Sequence, residues 1–121
     1  MSETKKVLVV EDDSFLLGLI SNKLKKNGFE VETAQNGEKA MTSLVNEKYE
    51  VLLLDLMLPD ISGFDILENL HNSKRKLPVI VFSNLSEDKD IKRAMDLGAK
   101  EYLIKSNFTL EELIEKIEKV A

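Results

Sequence analysis

The sequence predicts an α/β protein: a five-stranded parallel sheet, doubly wound, with helices on both faces. Three observations carry that reading. Five short β-rich runs alternate with five longer helical patterns along the 121 residues, the order that builds parallel sheets. The strongest strand candidates, Val7–Val10 and Val51–Leu54, are apolar at every position, as strands covered on both faces must be. No linker, low-complexity tract or internal repeat divides the chain, so residues 1–121 read as one domain. Right-handed crossovers then leave the doubly wound topology as the simplest solution, with strand order 2-1-3-4-5.

Each element has its own signal. Val7–Val10 runs into Glu11, Asp12 and Asp13, which end the first strand. Leu16, Leu17, Ile20 and Leu24 fall at helical spacing over residues 14–27, and Gly28 suits the position just past the helix end. Glu30–Ala34 reads as the second strand, followed by a helix over 37–47 through Ala40, Met41, Leu44 and Val45. Val51–Leu54 is the third strand, stopped by Asp55. Leu56 to Gly63, with Pro59 and Asp60, reads as a loop. A helix over 64–72 leads to Pro78 and the fourth strand, Val79–Phe82. Ser86 is the expected N-cap of the next helix, with acids at 87 and 88, and that helix runs to Gly98. The fifth strand is expected over Glu101–Lys105, and Thr109 with Glu112 forms a capping box for the last helix, through Val120.

Composition removes whole classes of function. The chain has no cysteine, which excludes disulfides, thiolate metal sites and cysteine nucleophiles. Its one histidine, His71, cannot form a two-imidazole metal site and is expected to be exposed near a helix end. Neither a GxGxxG fingerprint nor a phosphate-binding Walker loop is present. Twenty-two acids against 17 bases give a net charge of −5, the wrong balance for binding a nucleic-acid backbone. The clusters Lys23, Lys25, Lys26 and Lys74, Arg75, Lys76 read as solvated faces. No apolar run approaches a membrane span and no signal-peptide pattern opens the chain, so a cytoplasmic protein with no membrane contact is expected.

In a doubly wound sheet, ligands bind beyond the carboxyl ends of the strands, where the winding reverses. Those ends carry Glu11, Asp12 and Asp13 on the first strand, Asp55 on the third, Ser83 on the fourth and Lys105 on the fifth. With order 2-1-3-4-5 the first and third strands are neighbours, so Asp12 and Asp55 converge. Clustered carboxylates repel and take up protons unless a cation compensates. Lys105 supplies one positive charge, and a hard divalent ion such as Mg²⁺ completes the balance with oxygen ligands.

These same residues resemble the receiver domain of bacterial two-component response regulators, of the chemotaxis-regulator-like, flavodoxin-like kind. Val7–Val10 with Glu11, Asp12 and Asp13 is similar to the family's first strand and acidic pair. Asp55, Met57, Pro59 and Gly63 match its phosphoacceptor strand and following loop, Pro78–Ser83 its strand ending in Ser or Thr, and Gly98, Ala99, Tyr102 and Lys105 its last strand. The resemblance implies that Asp55 accepts a phosphoryl group from a histidine kinase or histidine phosphotransfer protein. It implies Mg²⁺ (or Mn²⁺) held by Asp12, Asp55, the Met57 backbone carbonyl and, through water, Glu11. Ser83, Lys105 and the Asn84 backbone N–H would bind phosphoryl oxygens. Ser83 and Tyr102 would switch a surface of helix four, strand five and helix five that regulates a downstream protein. Such a protein catalyses only its own phosphorylation and dephosphorylation.

The chain departs from the family pattern in four places. Glu11 is longer than the usual first acid, Asn84 replaces a small residue, Ser106 replaces a proline, and no output domain is expected after the last helix, the alternative being a piece of a longer protein. For the Lys105–Ser106 bond a trans peptide is expected, because cis costs a non-proline bond roughly 2.5–4 kcal/mol. Met57 and Leu85 cannot orient a water by hydrogen bonding and imply a long-lived phosphoryl state. Ile91 is either a partner anchor on the switching face or a core residue with Ala94 and Met95. A monomer is expected, with weak dimerisation as the alternative; Ile91 and Lys100 do not match the charge pattern of dimerising DNA-binding regulators. The rival functions fit less well. A phosphorylation-independent scaffold leaves the filled chemical positions unexplained, a haloacid-dehalogenase-type phosphatase needs an acid where Met57 stands, and a flavodoxin-like electron carrier needs a phosphate loop where Glu11, Asp12 and Asp13 stand.

Overall fold

The structure, a computed structural model, describes residues 4–121. In chain order it contains β1 (Lys6–Val10), α1 (Ser14–Lys26), β2 (Glu30–Ala34), α2 (Gly37–Asn46), β3 (Val51–Leu54) and α3 (Gly63–Asn72). These are followed by β4 (Val79–Ser83), α4 (Asp88–Asp96), β5 (Glu101–Ile104), a 3-10 turn over Lys105–Asn107, and α5 (Leu110–Val120). All strand pairs are parallel and the order is β2-β1-β3-β4-β5, the doubly wound sheet.

Side-chain alternation divides the core. Leu8, Val10, Leu52, Leu54, Val79 and Val81 face Ala40 and Leu44 of α2, Ile66, Leu67 and Leu70 of α3, and Ala94 of α4. Val7, Val9, Val51, Leu53, Ile80, Phe82 and Leu103 face Leu17, Ile20 and Leu24 of α1 and Leu113, Ile114 and Ile117 of α5. Both faces are covered, which is why β1 and β3 lack the polar alternation of a half-exposed strand. Register then sets the site: Val10 lies level with Leu54, and Leu54 with Val81, so the residues following β1 and β3 leave the sheet side by side.

Several boundaries shift by one or two residues from the sequence reading, and two of the shifts bear on the site. Ser86 is not the N-cap of α4; the helix starts at Asp88, with Glu87 in the cap position and no side-chain cap bond. The cause lies in the loop before it. The Ser83 Oγ accepts the Leu85 N–H at 3.3 Å and the Tyr102 hydroxyl donates to the Leu85 carbonyl at 2.7 Å, holding this loop out of the helix. Lys105 opens the 3-10 turn instead of closing β5, since the chain must bend at once to reach the Thr109 cap. No peptide bond among the described residues is cis, so Lys105–Ser106 is trans. The Thr109–Glu112 capping box is present in both directions. Gly28 follows the α1 C-cap with φ 89°.

Candidate functional site

Backbone bonds fix the two key acids before their side chains act. The Asp55 N–H donates to the Val10 carbonyl at 3.0 Å and the Glu11 N–H to the Ala34 carbonyl at 3.0 Å, extending the ladder one step past each strand. Both residues are consequently buried, Glu11 to 2% and Asp55 to 3% exposure, in a region where unpaired carboxylates are costly. Lys105 pairs with both. Its Nζ lies 2.7 Å from Glu11 Oε1 and 2.8 Å from Asp55 Oδ2, and 5.9 Å from the centre of the Phe82 ring. Each acid's second oxygen accepts a backbone N–H: Glu11 Oε2 from Asp13 at 3.1 Å, Asp55 Oδ1 from Met57 at 3.0 Å.

Asp12 is exposed, yet a carboxylate oxygen of Glu11, Asp12 and Asp55 can be chosen so that all three lie within 4.8 Å of one another. Three carboxylates therefore face one ammonium. Burial pushes the Glu11 carboxyl above its ordinary value, with the Asp55 charge adding to it, against the lowering effect of Lys105 and the Asp13 N–H. Burial works to lower the Lys105 ammonium, but the bonds to Asp55 and Glu11 outweigh it and hold Lys105 above its ordinary value. An excess of oxygen donors with no sulfur or imidazole suits a small hard divalent cation.

The remaining sequence-selected residues surround this cluster. Ser83 is fully buried at the end of β4, the strand beside β3. Asn84 follows it and is exposed. Met57 lies on the β3–α3 connection and is 54% exposed. Gly63 closes that connection: its N–H donates to the Leu56 carbonyl at 2.9 Å, and a Cβ there would lie 2.6 Å from the Asp55 carbonyl oxygen. Tyr102, on β5, spans to Leu85. Asp13 is not part of the acidic cluster; its carboxylate caps α1 by accepting the Phe15 and Leu16 N–H groups. Ile91 is half-buried and Met95 exposed, so only Ala94 of that trio is a core residue.

Two contacts were not legible in the sequence. The acceptor for the Tyr102 hydroxyl is a backbone carbonyl, which leaves no residue signature. Asp60, a turn residue by sequence, accepts from the N–H groups that open α2, and the paths of the two loops, which carry no sequence signal, bring those segments together.

Known proteins are similar to this chain in sequence and fold. The family model for the response regulator receiver domain matches residues 7–118. The alkaline phosphatase synthesis transcriptional regulatory protein PhoP of Bacillus subtilis is 33% identical over 84% of this chain and 42% of its own length. The cell cycle response regulator CtrA of Brucella ovis is 38% identical over 93% of this chain and 48% of its own. The chain thus spans less than half the length of these curated relatives. Among solved structures, a Francisella response regulator receiver domain superimposes with TM-score 0.90 at 29% identity, covering 97% of this chain and 96% of that one. The Thermotoga maritima response regulator TrrA, in complex with Mg²⁺ and beryllium fluoride, gives TM-score 0.86 at 30% identity over 98% of this chain and 100% of that one.

Proposed function

The chain belongs to the response regulator receiver family of two-component systems, and on that premise we propose that it is a switch driven by phosphorylation of Asp55. An Asp55 carboxylate oxygen forms a bond to phosphorus as the P–N bond to a kinase or phosphotransfer-protein histidine breaks, the electron pair staying on nitrogen. Transfer of this kind needs positioning and charge neutralisation more than covalent help. The observation that supports this most strongly is the buried Glu11–Lys105–Asp55 arrangement, with Asp12 beside it.

Asp12, Asp55 and the Met57 carbonyl would hold Mg²⁺ or Mn²⁺, with Glu11 acting through water. The bound cation would supply charge neutralisation between the nucleophile and the phosphoryl oxygens. Lys105, already 2.8 Å from Asp55, takes one phosphoryl oxygen after transfer. Ser83 and the Asn84 N–H take others. Drawing Ser83 towards the phosphoryl group releases its bond to the Leu85 N–H and disturbs the Leu85 carbonyl that Tyr102 holds. The change reaches the surface of α4, β5 and α5, where a downstream protein docks. On this reading the domain works in the cytoplasm as a monomer, without touching nucleic acid itself.

Incubation with acetyl phosphate and Mg²⁺ followed by intact mass tests the proposal. Wild-type protein gains one phosphate; Asp55→Asn and wild type in EDTA gain none. No gain on the wild type with Mg²⁺, or equal labelling of Asp55→Asn or of the EDTA sample, would contradict it.

A further inference from the structure

The β3–α3 connection carries the Met57 carbonyl, and its tip is fastened to a part of the molecule 23 residues away in sequence. Asp60 Oδ1 accepts the Gly37 N–H at 2.8 Å and the Ile61 N–H at 2.9 Å, while Oδ2 accepts the Glu38 N–H at 2.9 Å. Gly37 and Glu38 open α2, so a carboxylate supplied from another segment serves two of its free N–H groups. The third, on Lys39, goes to Asn36 at 2.8 Å. These backbone donors, Gly37 foremost and Glu38 next, hold the Asp60 carboxyl below the usual range, so it stays charged at neutral pH.

The second fastening is steric. Gly37 is buried under Ile61: a Cβ at position 37 would lie 2.1 Å from Ile61 Cγ1 and 3.2 Å from Asp60 Oδ1. No side chain fits there unless Ile61 is displaced. At its other end the connection is closed by the Gly63 N–H on the Leu56 carbonyl at 2.9 Å. Leu56 to Ser62 is therefore a loop fixed at neck and tip, and Met57 lies between the two anchors, bonded to Asp55.

We infer that Asp60, with Ile61 seated on Gly37, is a positioning device for the cation site: it holds the Met57 carbonyl where Asp12 and Asp55 can share a divalent ion with it. The inference rests on the phosphoacceptor reading of Asp55. Asp60 touches neither ion nor phosphate and acts only through the backbone of its loop. Outer partners of metal ligands commonly change affinity by about 10- to 100-fold when lost. A partner acting through one backbone carbonyl of three protein ligands belongs at the low end of that range.

The test is direct Mg²⁺ binding by titration calorimetry on the unphosphorylated protein, with thermal unfolding in EDTA beside it. Asp60→Ala should weaken Mg²⁺ binding about 10-fold. Asp60→Asn, keeping one acceptor oxygen but opposing an NH₂ to the Glu38 N–H, should fall between. Gly37→Ala approaches from the other side, displacing Ile61 with the Asp60 carboxylate intact, and should also weaken binding; it serves if Asp60→Ala does not fold. Wild-type Mg²⁺ affinity in folded Asp60→Ala or Gly37→Ala, with only a lower melting temperature, would overturn the positioning role while leaving Asp55 as phosphoacceptor. Failure of the wild-type protein itself to bind Mg²⁺ would overturn the reading of the site, and the positioning role with it.

Discussion

Lys105 makes two buried carboxylates tolerable at one sheet edge. Removing one partner of a fully buried ion pair costs about 3–5 kcal/mol. The Lys105 side chain keeps 15% exposure, so Lys105→Ala should cost somewhat less, about 2 kcal/mol by urea unfolding; no loss would contradict the pairing. The two tyrosines give a pH test. Burial, then the charges of Asp90 and Asp55, pushes the Tyr102 phenol up to about 12. Burial and the bond to Glu32 do the same for Tyr49, also to about 12. A raised folded value means the stabilising contribution is full below the unfolded value of about 10 and is lost as pH rises through the folded one. Lys105 titrates in the same sense. Stability should accordingly fall between about pH 10 and 12, and phenolate absorbance of the folded protein should rise only near pH 12. Titration of either tyrosine at an ordinary value in the folded protein would contradict its environment. At Met57, an exposed thioether cannot orient an attacking water, whereas Leu85 is engaged with the core on the α2–α4 side. Met57→Asn should then shorten the lifetime of phosphorylated protein more than Leu85→Glu does, measured by loss of the phosphorylated mass after removal of donor.

The helices are not equally anchored. α1 buries Leu17, Ile20 and Leu24, α5 buries Leu113, Ile114 and Ile117, and α4 buries only Ala94. α4 also lacks a side-chain N-cap. It is held to α3 mainly by Arg93, which stacks 4.3 Å from the Phe64 ring centre and lies 3.5 Å from Glu68. Amide hydrogen exchange should be faster across Asp88–Asp96 than across α1 or α5; equal protection would contradict this ranking. Glu87→Ser places a hydroxyl in the empty cap position and should stabilise the protein by about 0.5–1 kcal/mol. This helix start is also the boundary that the sequence conceals. Thr109 and Glu112 announce α5 because both halves of their cap are local. The start of α4 depends on Tyr102, 17 residues away, holding the Leu85 carbonyl. Ser86 has the right chemistry for a cap and the wrong neighbours.

At the scale of the whole molecule, the sheet converts strand order into a site. The four-residue apolar runs of β1 and β3 and the charge ending each are visible in the sequence, and the handedness of crossovers does the rest. That is why the cluster of Glu11, Asp12, Asp55 and Lys105 is legible in the sequence, while the Asp60 fastening, which depends on loop paths, is not. On the proposed chemistry the acid following β3 is the nucleophile and carries an acyl phosphate. Borohydride reduction of protein treated with acetyl phosphate and Mg²⁺, followed by peptide mass mapping, tests it most directly. Homoserine is expected at position 55, nowhere else, and none when Mg²⁺ is chelated. Phosphate retained on His71, Ser83 or any other side chain, with Asp55 unmodified, would contradict it.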